Sequence, residues 1–227
     1  MIALIPSWVE PVARYMAEDG LELTGKIAAV AVVGSAVVGI VLGTLFTIRF
    51  WPLRALIRFY VEIWRGLPIV VTIFIIFFSL PTLDIRFSAW MAAAVGLALW
   101  GSAQVAEATR GAVQSIPREQ HEAASALGFG WVGRHAFVIV PQALRRLLPP
   151  LVSLLVNVIQ NTTLALFIGV GEVLATGQRE TETLQSAPPI GVGNAHALAI
   201  YGGVAVLFFV VSFPLTRLAA WLEGRLI

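Results

Sequence analysis

Cysteine is absent from this 227-residue chain, so disulfides contribute nothing and cysteine usage leaves the redox compartment open. Charge is scarce as well: Asp, Glu, Lys and Arg make up 12% of residues, against about a quarter in soluble domains. An ordinary soluble globular fold is excluded. The three histidines, His121, His135 and His196, are scattered without metal-type spacing, and no Ser-His-Asp arrangement has local support. A basic signal-peptide start is missing too. Residues 1–20 carry Pro6, Glu10, Pro11, Glu18 and Asp19 instead, so this segment is expected to be retained.

What the chain has in abundance is apolar length, with 58% hydrophobic residues. Uncharged runs cover 27–48, 87–105, 147–171 and 187–215, close to or beyond the roughly 20 residues a bilayer requires. A shorter run at 66–83 reaches spanning length if 59–64 extend it through the interface, anchored by Tyr60 and Trp64. Nothing alternates like a barrel strand, so the backbone must satisfy its polar groups in helices. The expected fold is an all-α membrane protein with about five transmembrane helices, near 27–48, 59–80, 87–105, 147–171 and 195–215. These form one domain over 21–218, between an extracytoplasmic or interfacial segment at 1–20 and a cytoplasmic tail at 219–227. In the first segment Glu10, Arg14 and Glu18 recur every four residues among apolar neighbours, as in a short surface-lying helix. Gly34, Gly39 and Gly43 in the first span permit close helix packing.

The net charge of +2 hides an asymmetry. If the first span runs outside to inside, the cytoplasmic segments hold Arg49, Arg54, Arg58, Arg65, Arg110, Arg118, Arg134, Arg145, Arg146, Arg217 and Arg225. The outside keeps Arg14, Lys26, Arg86 and Arg179 against Glu10, Glu18, Asp19, Glu22, Asp84, Glu172, Glu180 and Glu182. The positive-inside rule therefore places the N-terminus outside and the C-terminus in the cytoplasm.

That topology puts the long charged loop at about 115–141 in the cytoplasm. Ser115 suits an N-cap, Ile116-Pro117 a helix start, and Glu119 the positive end of the helix dipole. Gly128 suits a left-handed C-terminal position, and Gly130 and Gly133 let the chain turn back. Ala123, Ala124 and Ala126 are small enough to seat a helix in a partner's groove, with Glu122 at its edge. Helix physics alone supports a solvated interfacial helix equally well.

The 147–171 run is uncharged yet holds Ser153, Asn157, Gln160, Asn161, Thr162 and Thr163. Ser153, Asn157, Gln160 and Asn161 fall on one helical stripe, which must face the bundle interior, a partner subunit or a watery cavity. Interhelical hydrogen bonding and a substrate path are both open readings. Near the third span's inner end, Gln104 and Glu107 add polar groups, and a Glu107–Arg110 pair is expected. Residues 20–26 spell GxxxxGK, but Ile27 stands where a phosphate loop has Ser or Thr and no strand precedes it. Lys26 is better read as an interfacial anchor. The polar stretch 177–194 is either a solvated external connector or a surface that receives a soluble protein.

Taken together, several motifs resemble the permeases of ABC importers, specifically the polar amino-acid uptake branch that includes histidine and glutamine permeases. They are Arg65-Gly66-Leu67-Pro68, Ala106-Glu107, Arg110-Gly111, Ser115-Ile116, Gln120, Glu122-Ala123-Ala124 and Leu127-Gly128, followed by Pro141-Gln142-Ala143-Leu144-Arg145, Leu148-Pro149-Pro150 and Asn161-Thr162-Thr163-Leu164. The resemblance covers about 21–218 and implies a type I ABC importer permease fold in a bacterial cytoplasmic (inner) membrane. It implies that the loop is an EAA coupling helix, contacting the ATPase through Glu119, Gln120, Glu122, Ala123, Ala124, Leu127 and Gly128. Ser153, Asn157, Gln160, Asn161 and Thr163 are the implied candidates for the translocation path. The implied partners are an ABC ATPase dimer that holds ATP and magnesium, a second permease subunit, an extracytoplasmic solute-binding protein and a polar amino-acid-like substrate. No cofactor, nucleic acid or catalysis is expected of this chain itself. Glu119 stands where the family usually has Gly, Ser153 where Asn is frequent, and Gln160 where Lys is frequent, which leaves the substrate's charge undecided. The alternative is a secondary transporter or channel, which would need an ionisable coupling residue within a span.

Overall fold

The computed structural model describes residues 6, 8–48, 50–186 and 193–226. Arg49 and residues 187–192 of the polar connector lie outside these. Eight helices account for nearly all of the described chain: α1 (Val9–Leu45), α2 (Trp51–Gly66), α3 (Ile69–Leu83), α4 (Ala89–Gln114), α5 (Arg118–Ala126), α6 (Trp131–Ile168), α7 (Val173–Ser186) and α8 (Gly193–Leu226). By length and apolarity α1, α4, α6 and α8 can each cross a membrane, and α2 with α3 supplies a fifth crossing if the bent pair is one span.

The N-terminal segment is not a separate surface helix. From Val9 it runs through a π-helical turn at Met16–Gly20 directly into the first span. Val12 and Met16 are buried against Val173 of α7 and Ile200 and Val204 of α8, which makes this first stretch part of the packed structure. The second segment also differs from a single helix over 59–80. Pro68 has no N–H to donate and forces Leu67 into extended backbone (φ −81°, ψ 138°), so α2 and α3 meet at 104°. The 147–171 run lies, up to Ile168, inside a longer helix that starts at Trp131, contains a π turn at His135–Ile139 and carries Pro149 and Pro150 internally. At its far end α-geometry gives way to a 3-10 helix, Asn161–Ile168. Of the polar stretch 177–194, the described part to Ser186 is helical, within α7.

The bundle closes on small residues. Ser35, Gly39 and Gly43 recur every four residues on α1 and are buried against α4. A Cβ at Gly43 would lie 2.4 Å from the Thr109 Cβ and 2.5 Å from the Ala106 carbonyl oxygen; one at Gly39 would lie 2.5 Å from the Val105 Cβ. Such close backbone approach is the usual source of helix association in lipid, where no hydrophobic force drives helices together. Ile27, Ala31, Ile73, Ala93, Leu97 and Val158 complete the main core at the junction of α1, α3, α4 and α6. Away from it, Val33, Val37 and Val41 form an exposed apolar stripe on α1 suited to lipid tails. The GxxxxGK residues are helical throughout, and Lys26 pairs with Glu22 one turn away, so no phosphate-cradling loop forms.

Candidate functional site: an exposed loop helix and a polar-striped span

Helix α5 is built by its ends. Pro117 is its N-cap, with extended backbone (φ −55°, ψ 145°), and its carbonyl accepts from the Gln120 N–H at 3.1 Å. Ser115 does not cap this helix, since it closes α4 and its hydroxyl donates back to the Ala112 carbonyl at 2.8 Å. At the other end Gly128 is left-handed (φ +82°). Its N–H donates to Ser125 O at 3.0 Å and the Phe129 N–H donates to Ala124 O at 3.1 Å, the two bonds of a Schellman cap. The sequence expectation for Gly128 agrees with this geometry.

Arg146, Gln142 and Arg134 tie the α5 region to its neighbours. Arg146 of α6 donates to the Ser115 carbonyl at 2.6 Å, Gln142 to the Gln120 side chain at 3.2 Å, and Arg134 to the Ser125 hydroxyl at 2.7 Å. The surface so presented is residue-specific. Glu119, Gln120, Glu122, Ala123, Leu127 and Gly128 are exposed, with Leu127 at 78%. Ala124 is 2% exposed and faces the chain's own interior, so its small side chain seats α5 against the rest of the chain. Glu122 pairs with Arg118 at 2.9 Å and borders an open cleft of ≈1010 Å³. Exposed as it is, this pair adds little stability.

The second region lies on α6. Ser153, Asn157 and Gln160 are exposed on one face of an apolar span, while Asn161 and Thr163 are half-buried. Gln160 donates to the Ser212 hydroxyl of α8 at 3.2 Å, and Asn161 to the Asn157 carbonyl at 2.7 Å. Thr162 and Thr163 donate to the Ile159 and Gln160 carbonyls at 2.7 and 3.0 Å. Hydroxyls taking carbonyls three residues back loosen the α-ladder, which accounts for the 3-10 stretch beginning here. At eight residues that stretch is longer than the usual 3–4, a sign of a hinge or of strain. Because 3-10 geometry repeats every three residues, Thr163 aligns with Gln160 and continues the stripe. Toward the loop, Glu107 and Arg110 form the expected pair, with Nε to Oε2 at 2.9 Å, and Arg65 donates to Gln104 at 3.1 Å.

Glu172, assigned above to the outside, is completely buried where α6 gives way to α7. Its two oxygens accept the Leu174 and Ala175 N–H groups, each at 2.9 Å, capping α7. Burial outweighs those two hydrogen bonds and pushes its carboxyl up from 4.5 to about 7. Below both values the proton is held folded and unfolded alike. Between them only the folded state holds it, so stability falls as pH rises from about 4.5 to about 7. The span of that loss is on the order of 3 kcal/mol. Thermal unfolding in detergent across this window should therefore decline more steeply in the wild type than in Glu172→Gln, and parallel curves would refute the assignment. An N-cap signal was present in the sequence, a carboxylate just before a helix, but its burial had none.

Comparison with known proteins gives these parts a context. The model of the binding-protein-dependent transport system inner membrane component family matches residues 35–227. The glutamine transport system permease protein GlnP of Escherichia coli K12 is 35% identical over 210 residues, covering 92% of this chain and 91% of that protein. The probable glutamine ABC transporter permease GlnP of Bacillus subtilis is 32% identical over 207 residues, covering 91% and 92%. In fold, an amino acid ABC transporter crystallised with histidines aligns with TM-score 0.80 at 23% identity, covering 98% of this chain and 100% of that one. The MetNI methionine ABC transporter aligns with TM-score 0.70 at 18% identity, covering 94% and 98%. A secondary carrier or channel is thereby set aside. With its type I ABC importer permease fold and its match across most of its length, the chain belongs to the binding-protein-dependent transport system inner membrane component family of multi-pass permeases.

Proposed function

We propose that this permease forms part of the translocation path of an ATP-driven importer for a polar amino acid or close analogue, supplied by an extracytoplasmic binding protein. The observation that carries the driving mechanism is α5: a short helix, capped at its C-terminus and braced by α6 and the α5–α6 loop, that stands exposed outside the membrane-spanning bundle. Glu119, Gln120, Glu122, Ala123, Leu127 and Gly128 meet a separate ATPase subunit, which binds ATP and magnesium. Ala124 transmits the motion from within, because a helix seated on packed atoms moves as a unit with them. The topology has the N-terminus outside and the C-terminus and α5 in the cytoplasm, as the arginine distribution favours.

The stripe of Ser153, Asn157, Gln160, Asn161 and Thr163 lines the path together with a second permease subunit, identical or a sister. Three of its members are exposed in the isolated chain, which in hydrocarbon would be costly without a polar neighbour. The 3-10 stretch beside it supplies a place where the span can bend between outward and inward states. Substrate selects among conformations, and nucleotide binding supplies the differential free energy that makes transport directional. The names of the relatives support a glutamine-like or other amino-acid substrate. Reconstitution into proteoliposomes tests the whole reading: labelled amino acid should enter only with ATPase subunits, ATP and binding protein all present. Uptake by this chain without an ATPase would sink it.

A further inference from the structure

Where α1, α4 and α6 all end on the α5 side, the chain leaves a second, smaller cavity of ≈250 Å³. Its polar lining is cationic or neutral: Arg54 from α2, His121 from α5, Arg134 and His135 from α6, with Gln114 and Thr47. No carboxylate lines it among the described residues. The Arg134 Nε is buried without a hydrogen bond among the described residues, although Nη1 of the same guanidinium is engaged by Ser125. Trp131 stacks on His135 at 4.1 Å between ring centroids and holds that imidazole through its own carbonyl at 2.8 Å. Burial, together with the charges of Arg134 and His135, holds the His121 imidazole below its ordinary range, as expected where cations are gathered without a counter-charge.

We infer that this cavity is an anion site that takes a phosphate group. Two guanidiniums converge with imidazole and amide donors, and planar guanidinium forks match the oxygens of phosphate. The depth of the site points to its source. Phe46 and Thr47 close the uncharged run 27–48 and line the cavity, so it abuts the point where the first span leaves hydrocarbon, at the level of phospholipid headgroups. Basic pockets between transmembrane helices at this level bind anionic headgroups. Such a headgroup would neutralise the cluster beneath α5 and fix the base of the loop helix. The site itself is independent of the transport reading; its assignment to the cytoplasmic leaflet rests on the topology proposed above.

The full chain in detergent, assayed by thermal shift and native mass spectrometry, tests this with three probes: phosphatidylglycerol, phosphatidylcholine and inorganic phosphate. Phosphatidylglycerol should bind and stabilise in preference to phosphatidylcholine. Arg54→Gln and Arg134→Gln should each weaken that binding roughly fivefold, about what one basic residue contributes near an anionic surface. Arg145→Gln, an exposed arginine on the same side but outside the cavity, should leave it unchanged. If inorganic phosphate stabilises equally and displaces the lipid, the site stands and its ligand is a free anion. Absence of any preference for phosphatidylglycerol together with no response to phosphate, or binding unaltered in both cavity variants, overturns the proposal. Should Arg134→Gln fail to fold, Arg54→Gln carries the test alone, because the Arg54 side chain is exposed and makes no ion pair among the described residues.

Discussion

Gly128→Asp is expected to abolish ATP-driven uptake while leaving the chain inserted and folded. A Cβ at Gly128 meets nothing within 4 Å, so the chain's own packing is undisturbed. The cost arises elsewhere. The new carboxylate sits at the negative end of the α5 dipole, an unfavourable placement of about 0.3–1 kcal/mol. More important, in the docking proposed above it would be buried unpaired, a penalty of several kcal/mol. A loss of more than about tenfold in uptake needs only about 1.4 kcal/mol at the docking step. Gly128→Asn, which tolerates a φ of +82°, and Gly128→Ala, strained by about 1–2 kcal/mol, should both be milder. Uptake in inverted vesicles or proteoliposomes, read beside substrate-stimulated ATP hydrolysis, separates these cases. Normal stimulation in Gly128→Asp would remove the assigned role from the loop.

The largest stability effect is expected at Gly43. Its missing side chain is what lets α1 lie against the backbone of α4, with the Ala106 carbonyl oxygen 2.5 Å from where a Cβ would stand. Backbone cannot swing away as a flexible side chain does, so Gly43→Ala should already cost about 1–3 kcal/mol and Gly43→Leu more, by parting the two spans. Gly25, on the same helix and facing open space, is the control: Gly25→Leu should be nearly neutral. The fraction of protein eluting as a single species in detergent and its thermal midpoint would report the difference. If the two leucine variants behaved alike, close approach of α1 and α4 would not be what holds the bundle together.

Much of the loop helix was legible before any coordinates, because caps are local. Pro117, Glu119 and Gly128 act within one turn of where they stand, and the helix lies within a residue or two of where they place it. The apolar runs were equally legible, since spanning a bilayer is a requirement on length and composition. Less legible is whatever depends on an environment that another segment supplies. The burial of Glu172 is one such feature, because a carboxylate before a helix signals a cap and says nothing of its exposure. The inward face of Ala124 is another, because a helix of small residues does not announce which side is inward. The straight second span failed for a local reason that was in plain view: Pro68 and its neighbour Leu67 break the helix even inside an apolar run.

Sequence alone was enough to show a helical membrane protein, arginines unevenly shared among the segments between its apolar runs, and the family it resembles. Each follows from composition, periodicity or short motifs, properties additive along the chain. Only the tertiary structure decided that α1 closes on α4 through Gly39 and Gly43, that the polar-striped span tightens into a 3-10 stretch at Asn161, and that Arg54, Arg134, His121 and His135 surround one cavity. Those outcomes depend on distances between residues far apart in the chain, which are set when backbones pack and not before.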